Sequence, residues 1–180
     1  MNALELDTVL LSPDRTCLEI LDQTLLPGEV KTLYLSDMRD IWEAIYSLRV
    51  RGAPAIGVCA GYALALAASQ IDEEEKDAFF AKLRETKDYL ASARPTAVNL
   101  FWALDRMWHT AEEHGAESIP AIREALFSEA QRIRDEDVAI SRSIGELGFG
   151  LLHHGDGILT HCNAGTLATA KYGTATAPMY

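Results

Sequence analysis

Hydrophobic positions near the start of the chain come in short runs, and further along they change to helical spacing. Leu18–Thr24 and Lys31–Leu35 are strand-like runs separated by Leu26-Pro27-Gly28-Glu29. Proline followed by glycine suits the central positions of a type II turn, so the pattern predicts a β-hairpin. Ser36 or Asp37 can cap the next segment, in which Ile41, Ile45 and Leu48 recur at helical spacing up to Arg49-Val50-Arg51-Gly52. Gly52 ends that helix and starts a turn.

Ala53–Ala68 holds 16 consecutive uncharged, mostly apolar residues, with Gly57 and Gly61 four apart. It is short for a membrane span and rich in alanine rather than leucine. Pro54 suits a first helical turn and the glycines permit close approach of another backbone, which predicts a buried central helix. Asp72-Glu73-Glu74-Glu75 reads as an acidic first turn complementing a helix dipole, followed by an apolar stripe of Phe79, Phe80, Leu83 and Leu90. Arg94-Pro95-Thr96 interrupts the pattern, because the residue before proline is driven away from α geometry. Val98, Phe101, Trp102, Leu104, Met107 and Trp108 resume it as a helix with its aromatics in the core.

Pro120 opens a longer helix through Ile122, Leu126, Ala130, Ile133, Val138, Ile140, Ile144 and Leu147, long enough to bridge two domains. Gly148, Gly150, Gly155 and Gly157 around His153-His154 mark a loop. Beyond it, Gly157-Ile158-Leu159-Thr160 reads as a short buried strand, and the spacing from Thr166 onward suits a helix. The predicted class is α+β to α/β. A small antiparallel β unit and a helical body occupy residues 1–152, and residues 153–180 open a second, α/β unit.

Composition narrows the function. With 48% hydrophobic and 24% charged residues the chain matches ordinary globular proteins, and a formal charge of −11 argues against a broadly basic nucleic-acid surface. Cys17, Cys59 and Cys162 are odd in number and far apart, which indicates reduced cytosolic thiols rather than a disulfide framework or zinc site. The start, Met1-Asn2-Ala3-Leu4-Glu5-Leu6-Asp7, carries acid early and lacks the basic and apolar regions expected of a signal peptide. His109 and His114 sit among polar neighbours and read as surface groups, so no metal site is expected. No Gly-x-Gly-x-x-Gly or P-loop lysine pattern is present, and serine-triad signatures are missing.

Three stretches carry candidate chemistry. Thr160-His161-Cys162-Asn163-Ala164-Gly165 places a thiol on a predicted strand-to-helix turn, where helix N-termini depress thiol pKa. His161 is adjacent, although neighbours in a strand point to opposite faces. Arg51-Gly52-Ala53-Pro54 sets a guanidinium beside a glycine turn at a helix start, a combination that suits an anion. Arg94-Pro95-Thr96 repeats it with a hydroxyl able to cap, so two arginines can converge on one phosphate. The competing reading is that each arginine caps a helix or pairs with one of the many acids.

Taken together, Arg51-Gly52-Ala53-Pro54-Ala55-Ile56-Gly57, Arg94-Pro95-Thr96-Ala97-Val98-Asn99-Leu100, Ile158 to Gly165 and Tyr172-Gly173-Thr174-Ala175 closely resemble the methylthioribose-1-phosphate isomerase family. The related initiation factor 2B regulatory subunits resemble these motifs less well. The resemblance implies conversion of 5-methylthioribose 1-phosphate to 5-methylthioribulose 1-phosphate in methionine salvage, without a metal or organic cofactor. It implies Cys162 as one of an acid–base pair, Arg51, Gly52, Ala53 and Arg94 as substrate-phosphate positions, and a Rossmann-like unit after residue 152. Members of that family run to roughly twice this length. The expectation is therefore a truncated form, poorly active alone, with the family's catalytic aspartate beyond Tyr180; Asp156 does not match that acid's motif. A non-catalytic assembly protein and a ribose 1,5-bisphosphate isomerase are the alternatives. Exposed strand edges and an uncovered helical face predict a dimer or larger assembly.

Overall fold

The computed structural model describes residues 6–180. Three strands, β1 (Val9–Leu11), β2 (Leu18–Leu21) and β3 (Thr32–Leu35), form an antiparallel sheet in the order β1-β2-β3. Val9 pairs with Ile20 and Leu11 with Leu18, which sets Val9, Leu18 and Ile20 on the buried face. Leu10, Glu19 and Tyr34 line up on the other face, as the two-residue period of a strand requires. The hairpin β2–β3 is as expected, whereas β1 is new. Three residues are too few to display alternation.

The connection between β2 and β3 is not a type II turn. Gly28 has no positive φ, and the Glu29 N–H donates to the Leu25 carbonyl at 2.9 Å, one residue further back than a β-turn closes. The expected strand end also moves: the regular strand stops at Leu21, and although the Asp22 N–H still donates to the Lys31 carbonyl at 2.9 Å, its carboxylate accepts from the Thr24 N–H and hydroxyl and starts a local turn there.

Helix α1 (Met38–Tyr46) is capped by Asp37, whose Oδ1 accepts the Arg39 N–H at 2.8 Å. It stops six residues before Gly52, because Leu48 turns to φ 67° and the Val50 N–H reaches back to the Ala44 carbonyl. Helix α2 (Ala53–Gln70) is apolar all round, and Ala55 to Ala68 are buried on every side by the three helices that follow it and by the sheet. Its length and composition would also cross a membrane; here its neighbours cover it. Gly57 and Gly61 make that packing close. A Cβ on Gly57 would lie 3.3 Å from the Asn99 carbonyl of α4 (Val98–Glu113), and one on Gly61 would lie 3.2 Å from Ile133 of α5 (Ile119–Phe149).

Helix α3 (Lys76–Ala91) begins after the acidic run rather than within it, with only Asp77 in its first turn. Glu73 instead pairs with Lys82 at 2.8 Å. Phe79, Leu83 and Leu90 are buried as expected. In α4 the core face is Leu100, Ala103, Leu104, Met107 and Ala111. Val98, Phe101 and Trp102 are exposed, with Val98 at 77%. Their aromatic and branched character suggested core, but they sit on the helix face turned away from α2. The first half of α5 buries Ile122, Leu126, Ala130 and Ile133, and its second half leaves Ile140, Ile144 and Leu147 in a stripe facing solvent.

No strand forms at Gly157–Thr160, and Leu159 is 97% exposed. A strand needs a neighbour to pair its amides, and no strand among the described residues pairs with it. The expected helix from Thr166 is a single turn, Thr166–Ala168. A second single turn, Ala177–Met179, packs on α5, where a Cβ on Gly148 would meet Pro178 at 2.4 Å.

Candidate active site

The N-terminus of α2 is the floor of the site. Gly52 adopts φ 94°, a conformation that side-chain-bearing residues avoid, and its carbonyl accepts the first helical hydrogen bond from Ile56 at 2.9 Å. The opening N–H groups of any helix lack intrahelical partners, and Pro54 in this first turn has none to offer. The end of α2 therefore presents the Ala53 amide and the positive pole of the helix dipole. Arg51 is exposed immediately before it.

A turn closed by the Ala97 N–H on the Arg94 carbonyl at 3.0 Å forms a second wall and carries half-buried Arg94. Thr96 does not cap α4: Ala97 takes the cap position, without a side-chain hydrogen bond. Cys162 and Asn163 form the third wall. Cys162 is exposed and holds φ 66°, a sharp reversal that presents the residue at the cavity rim. Arg51, Gly52, Ala53, Arg94 and Cys162 line one open cavity of about 570 Å³. Asn163, Thr96, Asn99 and Thr174 add polar groups, and Val98 and Ile56 add apolar ones. The sequence suggests Thr96 as a cap, whereas Asn99, Asn163 and Thr174 stand in the same motifs with no role expected of them. Their signal was their place beside the arginines and the cysteine.

Charge distinguishes this cavity from the rest of the surface. The chain has 27 acidic residues, yet none among the described residues lines it. Among the described residues, Arg15, Arg39, Arg49, Arg106, Arg132, Arg134 and Arg142 all pair with carboxylates. Arg123 donates to the Ala68 and Ile71 carbonyls, and Arg84 lies over the Trp108 ring. Arg51 and Arg94 alone among the arginines have no such partner among the described residues, and both line the cavity.

The three thiols differ in kind. Burial pushes Cys59 up to about 12, which keeps it protonated and inert, while Cys162 is open to solvent. His161 is exposed and makes no hydrogen bond to Cys162. His109 and His114 pair with Glu113 and Glu117 on the surface, and His153 meets Asp156 in the glycine loop. No group of three or more His, Cys, Asp or Glu among the described residues is arranged to hold a metal ion.

The segment behind the thiol is tightly held. The Ala164 carbonyl accepts from the Thr174 N–H at 2.9 Å and the Thr176 hydroxyl at 2.9 Å. Gly173, at φ 81°, packs against Gly165 so closely that a Cβ would meet its carbonyl carbon at 2.7 Å. A Cβ on Gly52 would meet the Ala168 backbone at 2.4 Å, so the thiol-bearing segment seats directly on the start of α2.

Fold and site together define an α+β protein whose central helix opens onto a cavity with two uncommitted guanidinium groups and a thiol at its rim. The Initiation factor 2 subunit family matches residues 49–177, a span containing all three walls. The chain belongs to that family. It is 52% identical over 176 residues to a methylthioribose-1-phosphate isomerase from Symbiobacterium thermophilum, covering 98% of this chain and 49% of that protein. It is 50% identical to a 5-deoxyribose 1-phosphate isomerase from Moorella thermoacetica, covering 90% and 46%. Among solved structures, 5-methylthioribose 1-phosphate isomerase from Pyrococcus horikoshii OT3 superposes with a TM-score of 0.91 at 40% identity, covering 97% of this chain and 49% of that one. The translation initiation factor eIF-2B delta subunit from A. fulgidus superposes at 0.87 and 37% identity, covering 97% and 50%. The chain spans about half the length of the curated relatives it matches.

Proposed function

We propose that this chain supplies the phosphate site and the reactive thiol of an aldose–ketose isomerase that converts 5-methylthioribose 1-phosphate to 5-methylthioribulose 1-phosphate in methionine salvage. One observation carries the reading. Three separated stretches bring Arg51, Gly52, Ala53, Arg94 and Cys162 to one cavity, and its two arginines are uncommitted. The Ala53 amide and the guanidinium groups hold the phosphate oxygens through charge-assisted hydrogen bonds. A phosphate ester on C1 blocks simple ring opening to an aldehyde, so the site must assist it. The C1–O4 bond breaks, hydrogen moves from C2 to C1, the C2 alcohol becomes a ketone, and O4 gains the proton that the C2 hydroxyl gives up. Cys162 is the proton-handling group. A neutral thiol in apolar surroundings suits a hydride-like shift, and a thiolate suits proton abstraction through an enediol.

Calorimetric titration tests the assignment. 5-Methylthioribose 1-phosphate is expected to bind, with Arg51→Ala and Arg94→Ala each weakening it about 10- to 100-fold, the worth of a charged hydrogen bond. Titrating 5-deoxyribose 1-phosphate and ribose 1,5-bisphosphate alongside it identifies the C5 substituent preferred. A folded chain that binds none of the three overturns the reading and favours the second one, a non-catalytic assembly subunit, for which the likeness to the eIF-2B delta subunit speaks.

The same proposal assigns the helical body over residues 1–152 to the arginines and residues 153–180 to the thiol, as the opening of a Rossmann-like unit. It places the chain in the cytoplasm, in keeping with three free thiols. It makes the chain a homo-oligomer, for which the exposed Ile140, Ile144 and Leu147 stripe speaks.

A further inference from the structure

Four successive residues beyond the thiol are each held by a different element. Gln23, just past β2, donates its Nε2 to the Leu167 carbonyl at 2.8 Å. Gly52 packs so near the Ala168 backbone that a Cβ there would lie 2.4 Å from it. Thr8, just before β1, donates its hydroxyl to the Thr169 carbonyl at 2.5 Å, and Asp137 on α5 accepts the Ala170 N–H at 2.6 Å. The chain before the thiol has no comparable hold: residues 153–162 are exposed throughout. The Cys162–Asn163 turn is therefore supported from its C-terminal side.

Gln23, like Gly52, touches both sides of the cavity's frame, and it does so through a side-chain hydrogen bond. Its backbone N–H donates to the Arg49 carbonyl at 3.1 Å, two residues before Arg51, while its side chain reaches the thiol-bearing segment. The side chain is also enclosed, with the residue 9% exposed, and its Oε1 is buried with no hydrogen-bond partner among the described residues. An apolar side chain of the same length would fill that space without leaving an acceptor unpaired. What the amide adds is one directed N–H, aimed at Leu167.

We propose that Gln23 is a positioning residue that fixes the separation of Arg51 and Cys162, so that a sugar phosphate held by the arginines also covers the thiol. The inference rests on the sugar-phosphate reading above. Gln23→Met keeps length and removes the donor, and Thr8→Val removes the neighbouring hydroxyl donor at constant shape. The readouts are alkylation of Cys162 by iodoacetamide, followed by peptide mass spectrometry, and calorimetric affinity for 5-methylthioribose 1-phosphate. At ten times the dissociation constant, occupancy is expected to slow wild-type alkylation about tenfold. In both variants the affinity stays within about threefold of wild type while protection falls below about threefold, because the arginines still bind but the thiol is no longer covered. Both variants protected as well as wild type, with wild-type affinity, would overturn the inference and leave the sugar-phosphate reading standing. A wild-type thiol that saturating sugar phosphate leaves unprotected would remove both. A Gln23→Met protein that melts far below wild type, with Thr8→Val behaving as wild type, would make Gln23 a folding residue and also end the inference.

Discussion

Gly52→Ala is the sharpest test of how the thiol-bearing segment seats on α2. Two costs add. The φ of 94° is strained for any side-chain-bearing residue, about 1–3 kcal/mol. The new Cβ would also sit 2.4 Å from the Ala168 Cα and carbonyl oxygen and 2.7 Å from its carbonyl carbon. Those are backbone atoms that no rotamer change can move aside, and overpacking of this kind costs about 1–3 kcal/mol. The sum is about 2–6 kcal/mol, a large share of the ~5–15 kcal/mol that holds a domain folded. Gly155 separates the two contributions, because it has nearly the same φ, 93°, with nothing within 4 Å of its Cβ position. Gly155→Ala should show backbone strain alone. Urea unfolding of both variants, with the melting temperature as a second probe, measures the difference. Gly52→Ala is expected to melt roughly 4–24 °C below wild type, at ~2–4 °C per kcal/mol for a chain of this size. If it proves no worse than Gly155→Ala, the contact with Ala168 does not hold the segment and the argument fails.

Two ionisable groups give opposite pH signatures. Burial raises the carboxyl of Asp22, but hydrogen bonds from Thr24 and the Arg49 guanidinium at 2.6 Å outweigh it and hold the group below its ordinary 3.8. A depressed folded pKa contributes stability above 3.8 that is lost as pH falls through the folded value, so Asp22→Asn should cost about 1–3 kcal/mol at neutral pH and converge on wild type in acid, by urea titration across pH. Asp137 is the reverse: burial raises it, against the Ala170 N–H and nearby Arg134. Its charged form is penalised as pH rises from 3.8 through the folded value, so Asp137→Asn, which still offers an oxygen to Ala170, should match or exceed wild-type stability at neutral pH; a lower melting temperature there would refute the assignment.

The helical body was legible because its residues obey a local period. Ile41 and Ile45, the apolar run of α2, and Ile122 through Ile133 each repeat within one element, and burial follows from that repeat. Val98, Phe101 and Trp102 were misjudged for a related reason: composition marked them as apolar, while the face they occupy depends on which side of α4 meets α2. Gly157–Thr160 carries a strand's composition without a neighbouring strand, and pairing is not a local property. At the site, motifs supplied the residue types, but their convergence comes from contacts across more than a hundred positions, such as Gln23 to Leu167 and Thr8 to Thr169. Gln23 is a single polar residue after a strand, with no periodic or motif signal to mark its role.

The uncommitted state of Arg51 and Arg94 has a kinetic consequence. A chain of formal charge −11 repels any anion at long range, whereas two guanidinium groups at a cavity with no acidic lining among the described residues attract one only near contact. Salt screens the distant repulsion beyond about 10 Å at 0.1 M and leaves the short-range pairing less affected. On the proposed sugar-phosphate reading, stopped-flow association of 5-methylthioribose 1-phosphate should therefore speed up with moderate ionic strength, opposite to the usual behaviour of an anion meeting arginines. The cavity is then a small attractive spot on a repulsive body, and any discrimination between anions rests on the short-range contacts at the cavity rather than on the overall charge.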